Sequence, residues 1–248
     1  MKIKEVATIA LNEEFGDMSD KEVLVLLKER TDKLNKRWID SKFTDFSIYK
    51  EHEYLCDVLV CWWFLSRNCV ANMLSFFRKN VSEYKSFSYF DDYNGVGAST
   101  VQVLKEGLHC DFYNDNEEQK KSLERLCDFY SPASRRVNNL SREGKYDVVM
   151  SFECAEHYKE PMRYVEEVMS MTREYLVIST GFRKCYTGHF EKYLIDGEEV
   201  SIRRTGMLIN KRIKKDFILL HTGWNAKPRI FKRKKFICSF FDSNSNVV

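Results

Sequence analysis

The chain has 248 residues, of which 44% are apolar and 31% charged, a balance that excludes a disordered polypeptide and suffices for a substantial core in one domain. Three prolines and the lack of any repeat exclude long linkers and repeat arrays, and the longest apolar run, Val58 to Leu65, is far too short to span a bilayer. The net charge of +3 conceals a skew, because Ser201 to Lys235 holds twelve Lys/Arg against one acidic residue, Asp216; contact with a polyanion such as nucleic acid and an ordinary solvated basic face both stay open there.

The eight cysteines are scattered and form no Cys-x-x-Cys pair, so the sequence suggests neither a zinc cluster nor a redox motif, and no metal is expected. With no secretory signal at its start, the sequence is expected to act in the cytoplasm with reduced thiols.

Residues 1–80 read as a helical extension. Ser19 followed by Glu22 is a capping-box pattern, and Val23, Leu26, Leu27, Leu34 and Trp38 recur at helical spacing. A second run, Glu53 to Lys79, is apolar around so much of its circumference that burial on more than one side is expected.

Residues 81–248 alternate strands and helices. A strand over Ser86–Asp91 leads through a glycine-bearing loop into a helix over Ser99–Glu106. A second strand over Leu108–Asn114 ends in the polar turn Asp115-Asn116, and a helix follows from Glu117 to Tyr130. Further strands are expected over Arg135–Leu140, Tyr146–Phe152 and Tyr175–Ser179, with a helix from Pro161 to Arg173 before the last of them. After an irregular stretch, strands over Asp216–Thr222 and Lys235–Phe240, joined by the loop Gly223 to Lys234, form an antiparallel pair. The expected class is α/β: a Rossmann-like, seven-stranded, mainly parallel sheet with an antiparallel C-terminal hairpin and an N-terminal helical extension.

The strand, glycine turn and helix around Gly95 and Gly97 form a ready site for a nucleotide-like ligand, because glycine lets the backbone approach closely and a helix start offers unpaired N–H groups. With Asp91 before it and Asp115 after it, the stretch resembles the class I S-adenosylmethionine-dependent methyltransferases. Asp91 takes the acidic position that ends the first strand, and Gly95 and Gly97 the second and third glycines of that family's loop, while Tyr93 stands where the first glycine is usual. Asp115, with Asn116 beside it, matches the acidic position that takes the cofactor's ribose hydroxyls; capping the next helix is the plainer role for the same carboxylate. Only Asn138 or Asn139 is offered near the adenine, and Asn139 is carried as the candidate. The segment Ser151-Phe152-Glu153, followed by Cys154-Ala155-Glu156-His157, resembles the family's fourth strand and its trailing Glu-His pair, with Ser151, Phe152 and Glu153 expected to face the cofactor's methionine part.

The resemblance implies methyl transfer from S-adenosylmethionine to a small molecule, nucleotide or nucleic acid. His157 is the candidate general base, with a purely structural role equally compatible. Cys154 reads as a small buried side chain. His189, Trp224, Lys227 and Arg229 are candidates for the acceptor side, the last three able to stack on and pair with a nucleotide. Two other readings stand beside it. Gly95-Val96-Gly97 with Asp115 satisfies part of an NAD fingerprint, although Thr100 replaces the third glycine. A non-catalytic module binding nucleic acid through its basic C-terminal third is the other.

Overall fold

The computed structural model describes residues 2–50, 57–67, 69–92, 95, 97–130, 144–182, 187–222 and 228–234. The N-terminal region forms α1 (Ile3–Leu11), α2 (Asp20–Asp40), a 3-10 turn over Phe46–Lys50, α3 (Asp57–Arg67) and α4 (Cys69–Asn80). The capping box opens α2: the Ser19 N–H donates to Glu22 Oε2 at 2.7 Å and the Glu22 N–H to Ser19 Oγ at 3.4 Å. Val23, Leu27, Leu34 and Trp38 are its buried residues, as their spacing requires. The apolar run over 53–79 is carried by two helices, α3 and α4, rather than one.

Strands and helices then alternate as β1 (Tyr89–Asp92), α5 (Ala98–Lys105), β2 (Cys110–Tyr113), α6 (Glu117–Tyr130), β3 (Tyr146–Phe152), α7 (Pro161–Met171) and β4 (Thr172–Ser179). A small hairpin of β5 (Lys192–Ile195) and β6 (Glu198–Ser201) precedes α8 (Ile202–Asp216), β7 (Phe217–Thr222) and β8 (Arg229–Arg233). Among the described residues the main sheet has six strands, in the order β2-β1-β3-β4-β8-β7, not the seven expected. The expected strand over 135–140 lies outside the described residues, as does 235–240. Pairing among β2, β1, β3 and β4 is parallel, and β8 runs antiparallel to both β4 and β7.

The hairpin is therefore real but its second strand sits earlier than expected, within the stretch assigned to the loop. Ile230 and Phe231 are its fully buried residues, and the flanking cations conceal that signal. Lys232 lies over the Tyr175 ring, and Arg233 lies over Phe217 while bonding the carbonyls of Thr172 and Met169. Long cationic side chains here cover apolar surface with their stems.

The stretch expected to be irregular contains α8, whose Thr205, Ile209 and Ile213 recur every four residues and are buried. It also contains the β5–β6 hairpin, closed by Asp196-Gly197 with both residues at positive φ. An Asp-Gly pair between strand-like runs is a hairpin signal on its own.

Side chains alternate across the main sheet. Tyr89, Val148, Met150, Tyr175, Val177 and Ile230 pack with α4 and α5, while Phe90, Val149, Leu176, Ile178 and Phe231 pack with α7 and α8. A third cluster joins Val6, Ala10, Leu27 and Val58 of the N-terminal helices to Val101, Leu123 and Leu126 of α5 and α6. The carboxyl ends of β1 to β4 are left to loops, the usual place for a ligand in such sheets.

Candidate functional site

Asp91 is fully buried on β1. Its Oδ2 accepts from Ser99 Oγ and Thr100 Oγ1 (2.7 Å) at the start of α5, and its Oδ1 is buried with no partner. Burial pushes its carboxyl up to about 6, against the two hydroxyl bonds that pull it down. The neighbouring Asp92 points to the other face, where Tyr164 donates to it at 2.8 Å and shares a second bond with Ser151 at 2.8 Å.

Gly97 precedes α5 at φ 92°, and a Cβ there would lie 2.1 Å from Leu123 Cδ1. Gly95, at φ 55°, accepts from Asn114 Nδ2 through its carbonyl at 3.1 Å. Both glycines of the loop are thus in the backbone region that side chains avoid, and the close packing of α5 on α6 fixes the second. The NAD reading needs a glycine at position 100; Thr100 instead spends its hydroxyl on Asp91.

Asp115 is exposed at the carboxyl end of β2. The residue that caps α6 is Asn116, whose Oδ1 accepts from the Glu118 and Gln119 N–H groups, so the capping role weighed for Asp115 falls to its neighbour. Asn116 Nδ2 also donates to the carbonyl of Tyr49 at 2.8 Å. Sequence reasoning missed Tyr49, and no local signal marks it. It comes from the 3-10 turn after α2, and its hydroxyl reaches the Gly188 carbonyl (3.3 Å) and His157 Nδ1 (3.4 Å).

His157 and His189 do come together, with ring centroids 4.9 Å apart and edge to face. Burial, and then His189, push the His157 imidazole down to about 3. It is therefore neutral across the physiological range, and its contribution to stability is present above the ordinary value of about 6.5 and lost as pH falls towards 3. His157→Gln is expected to melt with a weaker loss between pH 6.5 and 4 than the parent protein; equal slopes in thermal melts would contradict that burial. The His189 carbonyl accepts from the buried Trp38 indole at 2.6 Å, which ties α2 to the same loop.

Phe152 is half-buried, packed between the clusters of the α4–α5 side, and Glu153 follows it at φ 52°, with its N–H on the Ser179 carbonyl at 3.1 Å. Its carboxylate packs over Gly181, where a Cβ would lie 2.1 Å from Glu153 Oε2. Beside it Glu156 is fully buried, with Oε1 accepting the Gly181 N–H at 2.7 Å. Cys154 is buried, its thiol pushed well up by burial and then Asp92, which suits the packing role and not a nucleophile. Arg229 reaches the rim of β8 but turns to Asn210 of α8. Tyr93, Asn139, Trp224 and Lys227 lie outside the described residues.

The basic C-terminal stretch divides in two. Arg212 is paired with Glu166 and Asp216, and Lys234 caps the carbonyls of Lys214 and Lys215. Arg203, Arg204, Lys211, Lys214 and Lys215 are exposed along α8.

No protein-family model matches the sequence, and no curated protein does. Among solved structures the fold is similar to magnesium protoporphyrin IX methyltransferase from Synechocystis PCC 6803 with SAM bound, at 14% identity and a TM-score of 0.51 over 84% of this chain and 97% of that one. The same protein with SAH bound matches at 14% identity and a TM-score of 0.51, over 84% of this chain and 99% of that one. An O-methyltransferase family protein from Burkholderia thailandensis matches at 11% identity and a TM-score of 0.51, over 79% of this chain and 62% of that one. The chain has the class I S-adenosylmethionine-dependent methyltransferase fold. Among the described residues, no helix is long and apolar enough to cross a membrane.

Proposed function

We propose that this protein transfers a methyl group from S-adenosylmethionine to an acceptor seated against Tyr49, His157 and His189. The observation that carries the reading is Asp91: a buried carboxylate with one unpartnered oxygen, set at the end of β1 beneath a glycine turn and the start of a helix. A buried acceptor atom left unpaired costs about 1–3 kcal/mol, so a donor-bearing ligand at that point relieves a real penalty. Asp91, Gly95, Gly97, Asp115, Asn116 and the Ser151–Glu153 segment are the residues assigned to the cofactor; Tyr93 and Asn139 complete the assignment from the sequence pattern. When bound, the cofactor supplies a methyl group already activated by its sulfonium charge, so the chain's task is alignment and exclusion of water.

In this reading Tyr49 covers the cleft and links its two halves, the cofactor side through Asn116 and the acceptor side through His157. His157, held neutral, offers a hydrogen-bonding imidazole rather than a charge, which makes it a weak general base. His189, Trp224, Lys227 and Arg229 are carried as acceptor-side residues. The exposed cations of α8 favour a phosphate-bearing acceptor as one option, through long-range attraction. Against an NAD enzyme stand Thr100 and the antiparallel β7–β8 edge, where dinucleotide sheets of the usual order are parallel.

Calorimetric titration tests the proposal. S-adenosylmethionine and S-adenosylhomocysteine are expected to bind with one site per chain, and NADH not at all. Folded protein that takes up neither adenosyl compound would overturn it.

A further inference from the structure

A helix face of one charge sign works against itself, because like charges one turn apart repel. Helices α2, α6 and α7 mix the signs: Lys36 pairs with Asp40, Lys120 with Glu117, and Arg163 with Glu167. On α8 the mixing stops. Its exposed residues are Arg203, Arg204, Met207, Lys211, Lys214 and Lys215, and at about 100° per residue all of them fall within about 120° of arc. Lys211 stands one turn from both Lys214 and Lys215. The face runs for about 18 Å from Arg203 to Lys215, at about 1.5 Å per residue.

The fold divides the cations of the C-terminal stretch between two uses. Arg212 is spent on Glu166 and Asp216, Arg229 on Asn210, Lys232 on the Tyr175 ring, and Arg233 and Lys234 on backbone carbonyls. Arg203, Arg204, Lys211, Lys214 and Lys215 have no ion-pair partner among the described residues. The acid of the helix, Asp216, is turned to Arg212 at 2.7 Å, and Glu199 of the adjoining β6 is held by Lys192 at 2.9 Å. The other side of α8 is spent on the core, where Thr205, Ile209 and Ile213 are buried. At its first turn Ile202 packs against the cluster of Trp38, Phe190 and Tyr193. The cationic face therefore starts beside the loop that carries His189 and leads away from it to β7.

We infer that the outer face of α8 binds the phosphate backbone of a nucleic acid. A strand presents one phosphate about every 3.4 Å along a duplex, so a contact of about 18 Å meets about five of them, one for each cation. Such contacts hold a strand without reading its sequence, and they need neither an apolar wedge nor base-specific groups. A bilayer takes an amphipathic helix by its apolar side; here that side is in the core, and Met207, 64% exposed, is the one apolar side chain on the outer face. A protein interface has a core depleted of charge and of lysine, the opposite of this composition. The surface stands on its charge and geometry whether or not the cofactor reading holds. Where both hold, α8 leads the strand towards the loop of His189.

The test is fluorescence anisotropy of a labelled single-stranded oligothymidylate titrated with the full chain, between about 50 and 200 mM salt. Each phosphate neutralised on a single strand contributes about −0.7 to the slope of log affinity against log salt, so five cations give a slope of about −3.5. Arg204→Gln, Lys211→Gln and Lys215→Gln together should weaken binding at least about 10-fold at the lower salt and flatten the slope by about 2. Lys21→Gln, Lys28→Gln and Lys33→Gln remove the same charge from exposed positions on α2 and should cost less than about 2-fold. Arg203→Gln with Lys214→Gln is the second α8 variant should the first fail to fold, and it should flatten the slope by about 1.4. No binding at the lower salt, a slope that both α8 variants leave unchanged, or an equal loss in the α2 control would overturn the inference. So would capture by vesicles of phosphatidylcholine and phosphatidylserine of a protein that ignores the strand, an outcome that assigns the face to a lipid surface.

Discussion

Asp91→Asn is expected to weaken S-adenosylhomocysteine binding about 10- to 100-fold at pH 7.5 while raising the melting temperature of the free protein. Both effects come from one buried charge. The carboxyl sits at about 6 in the fold, above its ordinary 3.8, because burial penalises the ionised form. A group raised in this way contributes its stability below pH 3.8 and loses it as pH climbs through about 6. Two pH units of displacement correspond to about 3 kcal/mol, at the usual 1.36 kcal/mol per unit. Asparagine keeps an oxygen for Ser99 and Thr100 and carries no charge to bury, so the stabilisation should be large at pH 7.5 and near zero at pH 4. The binding loss follows from removing the ionised partner of the ligand's donor, worth about 1.5–3 kcal/mol. Melts at the two pH values and one titration decide it; a variant that melts lower at both, or binds unchanged, contradicts the account of Asp91. A stability gain bought with lost binding is the pattern expected where function strains the fold.

Gly97→Ala should be among the most damaging single substitutions in the chain, at about 2–6 kcal/mol. The residue holds φ 92°, a conformation that costs a side chain about 1–3 kcal/mol. The added methyl would also lie 2.1 Å from Leu123 Cδ1, inside a packed cluster, and forced overpacking costs about 1–3 kcal/mol more. The two costs separate in a double-mutant cycle. Leu123→Ala removes the Cδ1 and Cγ overlaps, leaving a Cβ approach of 3.1 Å, but not the backbone strain, so the double variant should be less destabilised than the sum of the singles by more than about 1 kcal/mol. Urea midpoints measure all four corners. Strict additivity would mean that α5 moves away from α6 at no cost, and that the glycine serves no packing purpose.

Elements whose pattern is local were readable from residues alone. Val148, Val149 and Met150 form a continuous apolar run, and the strand expected around them over Tyr146–Phe152 is β3 within the expected limits. Ser19 and Glu22 announced the start of α2. Where charge overlay the pattern, the reading failed. β8 hides Ile230 and Phe231 between Arg229, Lys232 and Arg233, and α8 hides a four-residue repeat beneath six cations. Those cations are not on the surface for solvation alone, since Arg212, Arg233 and Lys234 are bonded to the protein itself. Asp196-Gly197 was a legible turn that a strand count built on long apolar runs passed over.

By itself the sequence determined the alternation of strands and helices, the glycine turn after β1 and the acidic residue before it, because each depends on neighbours within one or two helical turns. Only the tertiary structure decided which residues of separate loops meet at the rim of the sheet. Tyr49 meets His157 across 108 residues, the Trp38 indole meets the His189 carbonyl across 151, and the Glu156 carboxyl bonds the Gly181 N–H across 25. Contacts of that kind are set by how loops from separate elements pack at the rim of one sheet, and such packing leaves no periodicity, spacing or composition in the chain that makes it.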